Sequence, residues 1–267
     1  MRDLDMSALM GIARLAGQTV LEIYRAGFTV TEKDDRTPLT TADTRSGEII
    51  LAGLARTFPG VPVVCEETAN APYAERRKYK RCFVVDPLDG TKEFISRNGE
   101  FCVCIGLVEN GEPLFGVIHA PVADTLYAGG PGIPAVRQAA GGPAEAIRAV
   151  PPQPGRPLVI LGSKSHPSPD MAGYLSRFPD YRLISRGSAL KFCALAEGAC
   201  HLYPRLGPTW EWDTAAGHAI VLGAGGVMTA LDGSPFRYNK PELLNGPFLA
   251  RSFSDCAACP ELLLSRS

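Results

Sequence analysis

Apolar residues recur at helical spacing between Leu4 and Phe28, where Leu9, Ile12, Ala13, Ala16, Val20, Ile23 and Tyr24 share one side. The polar, proline-bearing stretch TEKDDRTPLTTAD follows and reads as a loop. Thr40 or Thr41 then suits the cap of a second helix with Ile49, Ile50, Leu54 and Phe58 on one face. VPVVCEE and RCFVVD predict short strands that end in acids. FCVCIGLVENGEPLFGVIHAPVADTLYAGG predicts a β-meander, with a hairpin turn at Asn110-Gly111 and another turn near Val122-Ala123.

The pattern changes after Tyr127. The chain becomes rich in Gly, Pro and Ala as far as PPQPGRP, which marks a candidate boundary. Beyond it PLVILG, YRLIS and CHLYPR predict strands. They alternate with helices from Asp170 to Phe178, Ser188 to Glu197 and Asp213 to Leu222. The expectation is an α+β half with an antiparallel sheet over residues 1–155 and an α/β half over 156–267.

Acids gather where elements end. Asp43, Glu66, Glu67, Asp86, Asp89 and Asp213 each sit at a predicted strand end or helix start. Singly, each has a plain reading as a helix cap or a loop acid. The stretch VVDPLDGTKEF is harder to explain that way, because it puts Asp86 and Asp89 on one tight turn. Two close carboxylates repel unless one is protonated, a basic side chain pairs with them, or a cation lies between them. The sequence has only four histidines, none grouped with these acids, so an all-oxygen site for Mg²⁺ or a similar hard cation fits best. The Leu88 carbonyl is a further candidate oxygen ligand. Gly90 and Thr91, at the start of a predicted helix, offer backbone N–H groups to an anion.

Composition narrows the classes. Of 267 residues, 45% are hydrophobic and 21% charged, and the net charge of -1 gives no electrostatic footprint for nucleic acid. No apolar run is long enough for a membrane span, and the N-terminus lacks the basic start of a signal peptide. A cytoplasmic protein, at most peripheral to the inner face of the membrane, is the simplest reading. Most of the eight cysteines lie in apolar runs and suit buried free thiols. Cys256 and Cys259 form a single C-x-x-C with no second pair, which is weak grounds for a zinc or redox site.

CEE, DPLDGT and WDTAAG, in this order, closely resemble the signatures of the inositol monophosphatase superfamily, which is magnesium-dependent and lithium-sensitive. DPLDGTKEFISRNGEF, SKSH, GSALKFC and EGACHLYPRLGP are most similar to the CysQ-type 3′(2′),5′-bisphosphate nucleotidases within it. The resemblance runs from about Leu4 to Asn245; one departure is Cys65, where Ser or Gly is usual. It implies a layered αβαβα sandwich with the site between its halves. It implies Glu66, Asp86, Asp89, Asp213 and the Leu88 carbonyl as ligands to two or three Mg²⁺, and Asp43 with Thr91 as the groups that activate water. Lys191, Gly187, Ser188, Arg205 and His166 are expected around a second phosphate and the ribose, with Lys191 above an anion site at a helix start. The implied activity is hydrolysis of adenosine 3′,5′-bisphosphate, a small-molecule substrate, by a monomer or homodimer. Inositol monophosphatase or fructose-1,6-bisphosphatase activity, or a non-catalytic nucleotide or metal sensor, are the alternatives.

Overall fold

The structure is a computed structural model and describes residues 5–32, 38–163 and 170–253. Helix α1 (Met6–Ala26) starts where the Asp5 carboxylate accepts the Ala8 N–H at 2.9 Å. Strands β1 (Val30–Glu32) and β2 (Pro38–Thr40) pair antiparallel, so part of the expected loop is a small ribbon. Helix α2 (Thr41–Thr57) is capped by Thr40 in a reciprocal capping box with Asp43.

A seven-stranded sheet follows: β3 (Val63–Cys65), β4 (Arg81–Asp89), β5 (Cys102–Glu109), β6 (Glu112–Ala120), β7 (Thr125–Gly130), β8 (Ile133–Ala139) and β9 (Glu145–Ala146), side by side in chain order. The one-turn helices α3 (Tyr73–Arg76) and α4 (Thr91–Ile95) flank β4 in the chain. The sheet departs from the sequence reading twice. Strands β3 and β4 run parallel, not antiparallel. The Gly- and Ala-rich stretch beyond Tyr127, expected as a boundary, carries the end of β7 and the whole of β8 and β9. Its residues are small because a later helix packs directly on β7 and β8.

The chain then builds a five-stranded sheet from β10 (Leu158–Ser163), β11 (Tyr181–Arg186), β12 (Leu202–Arg205), β14 (Val227–Ala230) and β16 (Phe248–Arg251), in the order β11-β10-β12-β16-β14. Between these strands lie α5 (Met171–Leu175), α6 (Leu190–Ala196), the short pair β13 (Thr209–Trp210) and β15 (Leu244–Asn245), and α7 (Ala215–Gly223). β10 is parallel to β11 and β12, while β16 is antiparallel to β12 and β14.

The layers follow from strands buried on both faces. Phe83, Val85, Val103, Ile105 and Leu107 pack toward α1 and α2. Cys82, Val84, Cys102 and Cys104 pack toward α6 and α7. Those two helices also pack on the second sheet, whose far face is covered by Tyr174, Leu175 and Phe178. The result is an αβαβα sandwich. Tight docking of α7 explains its start in WDTAAG: a Cβ on Gly116 would stand 2.1 Å from the Ala216 carbonyl oxygen, and one on Gly106 would stand 2.8 Å from the Ala215 Cβ. Small residues on both sides let α7 lie close to the sheet, which brings Asp213 to the end of β4. All six cysteines among the described residues are free and buried. Cys256 and Cys259 fall outside those residues. No described helix is long and apolar enough to cross a membrane.

Candidate active site

The paired aspartates owe their geometry to a bulge. On β4, Asp86 pairs with Cys104 and Asp89 with Cys102, so three steps along β4 match two along β5. In a regular strand, residues three apart point to opposite faces. The extra residue turns Asp86 and Asp89 to the same side. The Leu88 N–H donates to Asp86 Oδ1 at 2.9 Å, and the Pro87 carbonyl accepts the Ser46 hydroxyl at 2.7 Å, which pins the turn to α2. Asp213 comes from the other sheet's connection, where its Oδ2 accepts the Trp210 N–H at 2.8 Å. One oxygen each of Asp86, Asp89 and Asp213 lies within 4.8 Å of the other two. Glu66 lines the same cavity.

The electrostatics show what this crowding costs. Burial, and then the charges of Glu66, Asp89 and Asp213, push the Asp86 carboxyl well above the usual range. Burial and Asp89 do the same to Asp213. Asp89 is raised to about 6, chiefly by burial, with Lys191 pulling it partly back. Three clustered carboxyls that resist ionisation, one buried and two half-buried, are the donor set a hard divalent cation requires. In the metal-free protein the raised Asp89 carboxyl favours folding below the unfolded value of 3.8, and that contribution is lost as pH rises through about 6, while Asp86 and Asp213 act in the same direction. Mg²⁺ should therefore raise the melting temperature more at pH 8 than at pH 5. Equal gains at the two pH values, read by thermal denaturation, would show that the cluster does not carry this repulsion.

Asp43 sits behind the cluster and is 2% exposed. Its Oδ2 accepts the Thr40 N–H at 2.7 Å and the Thr40 hydroxyl at 2.6 Å, and its Oδ1 accepts the Thr91 hydroxyl at 3.2 Å. Thr91 Oγ1 is also 3.3 Å from the Leu88 carbonyl oxygen. Burial raises the Asp43 carboxyl, and the Thr40 bonds offset part of that rise. Asp43 is thus a buried carboxylate linked through one hydroxyl to the cavity.

A cavity of about 540 Å³ joins these groups to the second sheet. Gly90, Thr91, Ser188, Lys191 and Arg205 line it. His166 lies outside the described residues. Three expectations on this side need correction. Gly187 does not line the cavity: its N–H donates to Glu100 Oε2 at 3.0 Å, and a Cβ there would meet Glu93 Cγ at 2.5 Å. Helix α6 begins at Leu190, not Ser188. Ser188 instead holds a left-handed turn (φ 50°) that aims the Ala189 N–H at Asp89 Oδ2. Its hydroxyl accepts from the Leu190 N–H and the Cys102 thiol. Lys191 is only 6% exposed; its ammonium donates to the Ser188 carbonyl at 2.5 Å and lies 5.7 Å from the Tyr203 ring centre. It is therefore a buried cation beside Asp89, not an open anchor above a helix start. Arg205 is the more available cation: Nη2 donates to the Pro208 carbonyl at 3.0 Å, while Nε is buried without a protein partner.

Sequence reasoning missed one wall. Trp210, Trp212, Pro208 and Leu244 also line the cavity. The two indoles stack with centres 5.1 Å apart, and Trp210 is 41% exposed. Asn245 fixes this segment by donating to the Trp210 carbonyl and to the Thr209 and Thr214 hydroxyls. Buried Glu211 holds Lys240 at 2.6 Å beneath it. Two tryptophans so close in the sequence were the available signal.

The profile of the inositol monophosphatase family matches residues 3–259. The chain belongs to the inositol monophosphatase family. Its relatives include the 3′(2′),5′-bisphosphate nucleotidase CysQ of Escherichia coli (strain K12), 39% identical over 238 residues, which are 88% of this chain and 94% of that protein. The crystal structure of CysQ from Bacteroides thetaiotaomicron is 38% identical and superposes with a TM-score of 0.82 over 93% of this chain and 97% of that one. Inositol monophosphatase from Anabaena, at 26% identity, has a TM-score of 0.72 and covers 93% of this chain and 90% of its own. The layered architecture is thus the family's.

Proposed function

We propose that the protein is a Mg²⁺-dependent phosphatase that hydrolyses the 3′-phosphate of adenosine 3′,5′-bisphosphate to AMP and phosphate, a clearance step in sulfate activation. The observation that carries this reading is the cavity itself, which sets the acidic cluster beside an arginine and an exposed indole. Asp86, Asp89 and Asp213 would hold the cation, with Glu66 and the Leu88 carbonyl beside them, in a site for two or three ions. A divalent cation bound there supplies positive charge that stabilises the phosphoryl oxygens and makes a neighbouring water more acidic.

The chain's own groups do the rest. Thr91 Oγ1 orients the attacking water and passes its proton to Asp43 Oδ1, the atom it already contacts. As the water oxygen bonds to phosphorus, the bond to O3′ breaks and O3′ takes a proton from solvent. Arg205, whose side chain lines the cavity, anchors the 5′-phosphate through its guanidinium. Gly90 and Ser188 border the reacting phosphate. Trp210, backed by Trp212, gives the base a flat surface. Lys191 acts from behind, holding Asp89 ionised. The working form is a monomer or homodimer.

Substrate preference tests the anchor. Arg205→Met should lower kcat/KM for the bisphosphate by about 10- to 150-fold, the worth of a hydrogen bond to a charged group at roughly 1.5–3 kcal/mol. It should barely alter turnover of inositol 1-phosphate. Lys191→Met should impair both substrates, because it acts on Asp89. Equal losses from Arg205→Met on the two substrates would favour an inositol monophosphatase. A side-by-side assay with adenosine 3′,5′-bisphosphate, inositol 1-phosphate and fructose 1,6-bisphosphate decides the substrate class.

A further inference from the structure

We propose that Asp89, Cys102 and Cys104 form a second cation site, selective for a thiophilic divalent ion such as Zn²⁺ or Cd²⁺, that competes with the acidic cluster for Asp89. The β4 bulge creates the juxtaposition. It turns Asp89 to the same face of the sheet as the two cysteines, and Asp89 pairs directly with Cys102. The three ligand atoms all lie within 4.8 Å of one another. The two sulfurs are 3.7 Å apart. Two thiolates on a tetrahedral ion, each at about 2.3 Å, stand roughly 3.7–3.8 Å apart. Cys102 Sγ is 4.0 Å from Asp89 Oδ2. Ligand bonds of about 2.3 Å to sulfur and 2.0–2.2 Å to oxygen can span that gap.

The competing use of such a pair is a disulfide, and the geometry disfavours it. Same-face neighbours on one strand have Cα atoms about 6.6 Å apart at roughly 3.3 Å per residue. That is near the upper limit of what a disulfide spans, about 6.8 Å. The sulfurs would also have to close from 3.7 Å to bonding distance. Metal capture needs almost no sulfur movement. Soft sulfur ligands also select against Mg²⁺.

The entry path is short. Asp89 and Ser188 line the cavity, and Cys102 Sγ lies 3.4 Å behind the Ser188 hydroxyl. On binding, each thiol releases its proton to solvent, the two new metal–sulfur bonds replace the Cys102 contacts to Cys104 and Asp89, and the Asp89 carboxylate supplies the third ligand. An ion held there draws Asp89 away from Asp86 and Asp213. The hard-cation site and the thiophilic site therefore exclude each other. This binding does not depend on which phosphate ester the protein hydrolyses.

The test is direct binding of Cd²⁺ to the metal-free full chain. Cys256 and Cys259 are a separate thiol pair, so the reference protein is C256S/C259S. We expect it to bind one Cd²⁺ with a thiolate charge-transfer band in the ultraviolet. The ¹¹³Cd resonance should fall between those of all-oxygen and all-thiolate sites. Adding C102A/C104A should abolish the band and weaken Cd²⁺ binding at least about 100-fold, since ligand loss should exceed the 10- to 100-fold cost of losing an outer partner. Should that variant fail to fold, competition on the reference protein still decides: excess Mg²⁺ should weaken Cd²⁺ binding 10-fold or more. No band in C256S/C259S, a band that survives C102A/C104A, an all-oxygen resonance, or indifference to Mg²⁺ would each overturn the proposal.

Discussion

Asp43→Asn is expected to lower kcat by about 10²–10⁴, the usual worth of a positioned general base, while leaving metal affinity nearly unchanged. The reason is in the bonding of Asp43. Oδ2 is committed to the Thr40 N–H and hydroxyl, and Oδ1 faces the Thr91 hydroxyl. An asparagine keeps its single oxygen for Thr40, because that pair caps α2. Its amide then faces Thr91 and makes that hydroxyl an acceptor, which closes the route by which a water proton leaves. Helix capping survives, so the variant should lose no more than about 1 kcal/mol of stability. Steady-state kinetics with a parallel Mg²⁺ titration checks this. Near-normal kcat would show that Asp43 only caps its helix.

The second large effect belongs to Asp213. Asp213→Asn removes one of the three clustered carboxylates. Loss of groups that merely support metal ligands already costs about 10–100-fold in affinity, so this change should weaken Mg²⁺ binding by more than about 10²-fold. The same change should stabilise the metal-free protein at alkaline pH, because Asp213 is raised by burial and by Asp89, and its loss also relieves Asp86. The pair of opposite effects is diagnostic. A variant destabilised both with and without Mg²⁺ would mark Asp213 as a structural residue.

Much of this was legible in the residues. Thr40 and the apolar stripe of α2 are local signals, and both appear as expected. VVDPLDGT predicted a strand running into a carboxylate turn, and β4 supplies it. What it could not convey was the bulge, because that depends on which β5 residues lie opposite. The strands beyond Tyr127 do not stand out in the sequence, because Gly and Ala carry no strand preference of their own; packing by α7 makes them necessary. Lys191 looked like an anchor because helix-start position is visible in a sequence, whereas the direction of a buried ammonium is not. Trp210 was passed over because strands of two residues leave no periodicity. Its exposure depends on Asn245 and Leu244, more than thirty positions away.

In the proposed reaction this cavity uses a divalent cation to hydrolyse the 3′-phosphate of a nucleotide bisphosphate. The deciding measurement is ³¹P NMR of adenosine 3′,5′-bisphosphate incubated with the protein, with Mg²⁺ and then with excess chelator. Inorganic phosphate and 5′-AMP should appear in equal amounts with Mg²⁺, and the substrate should remain unchanged with chelator. Release of the 5′-phosphate, turnover in the presence of chelator, or no turnover with Mg²⁺ would contradict it.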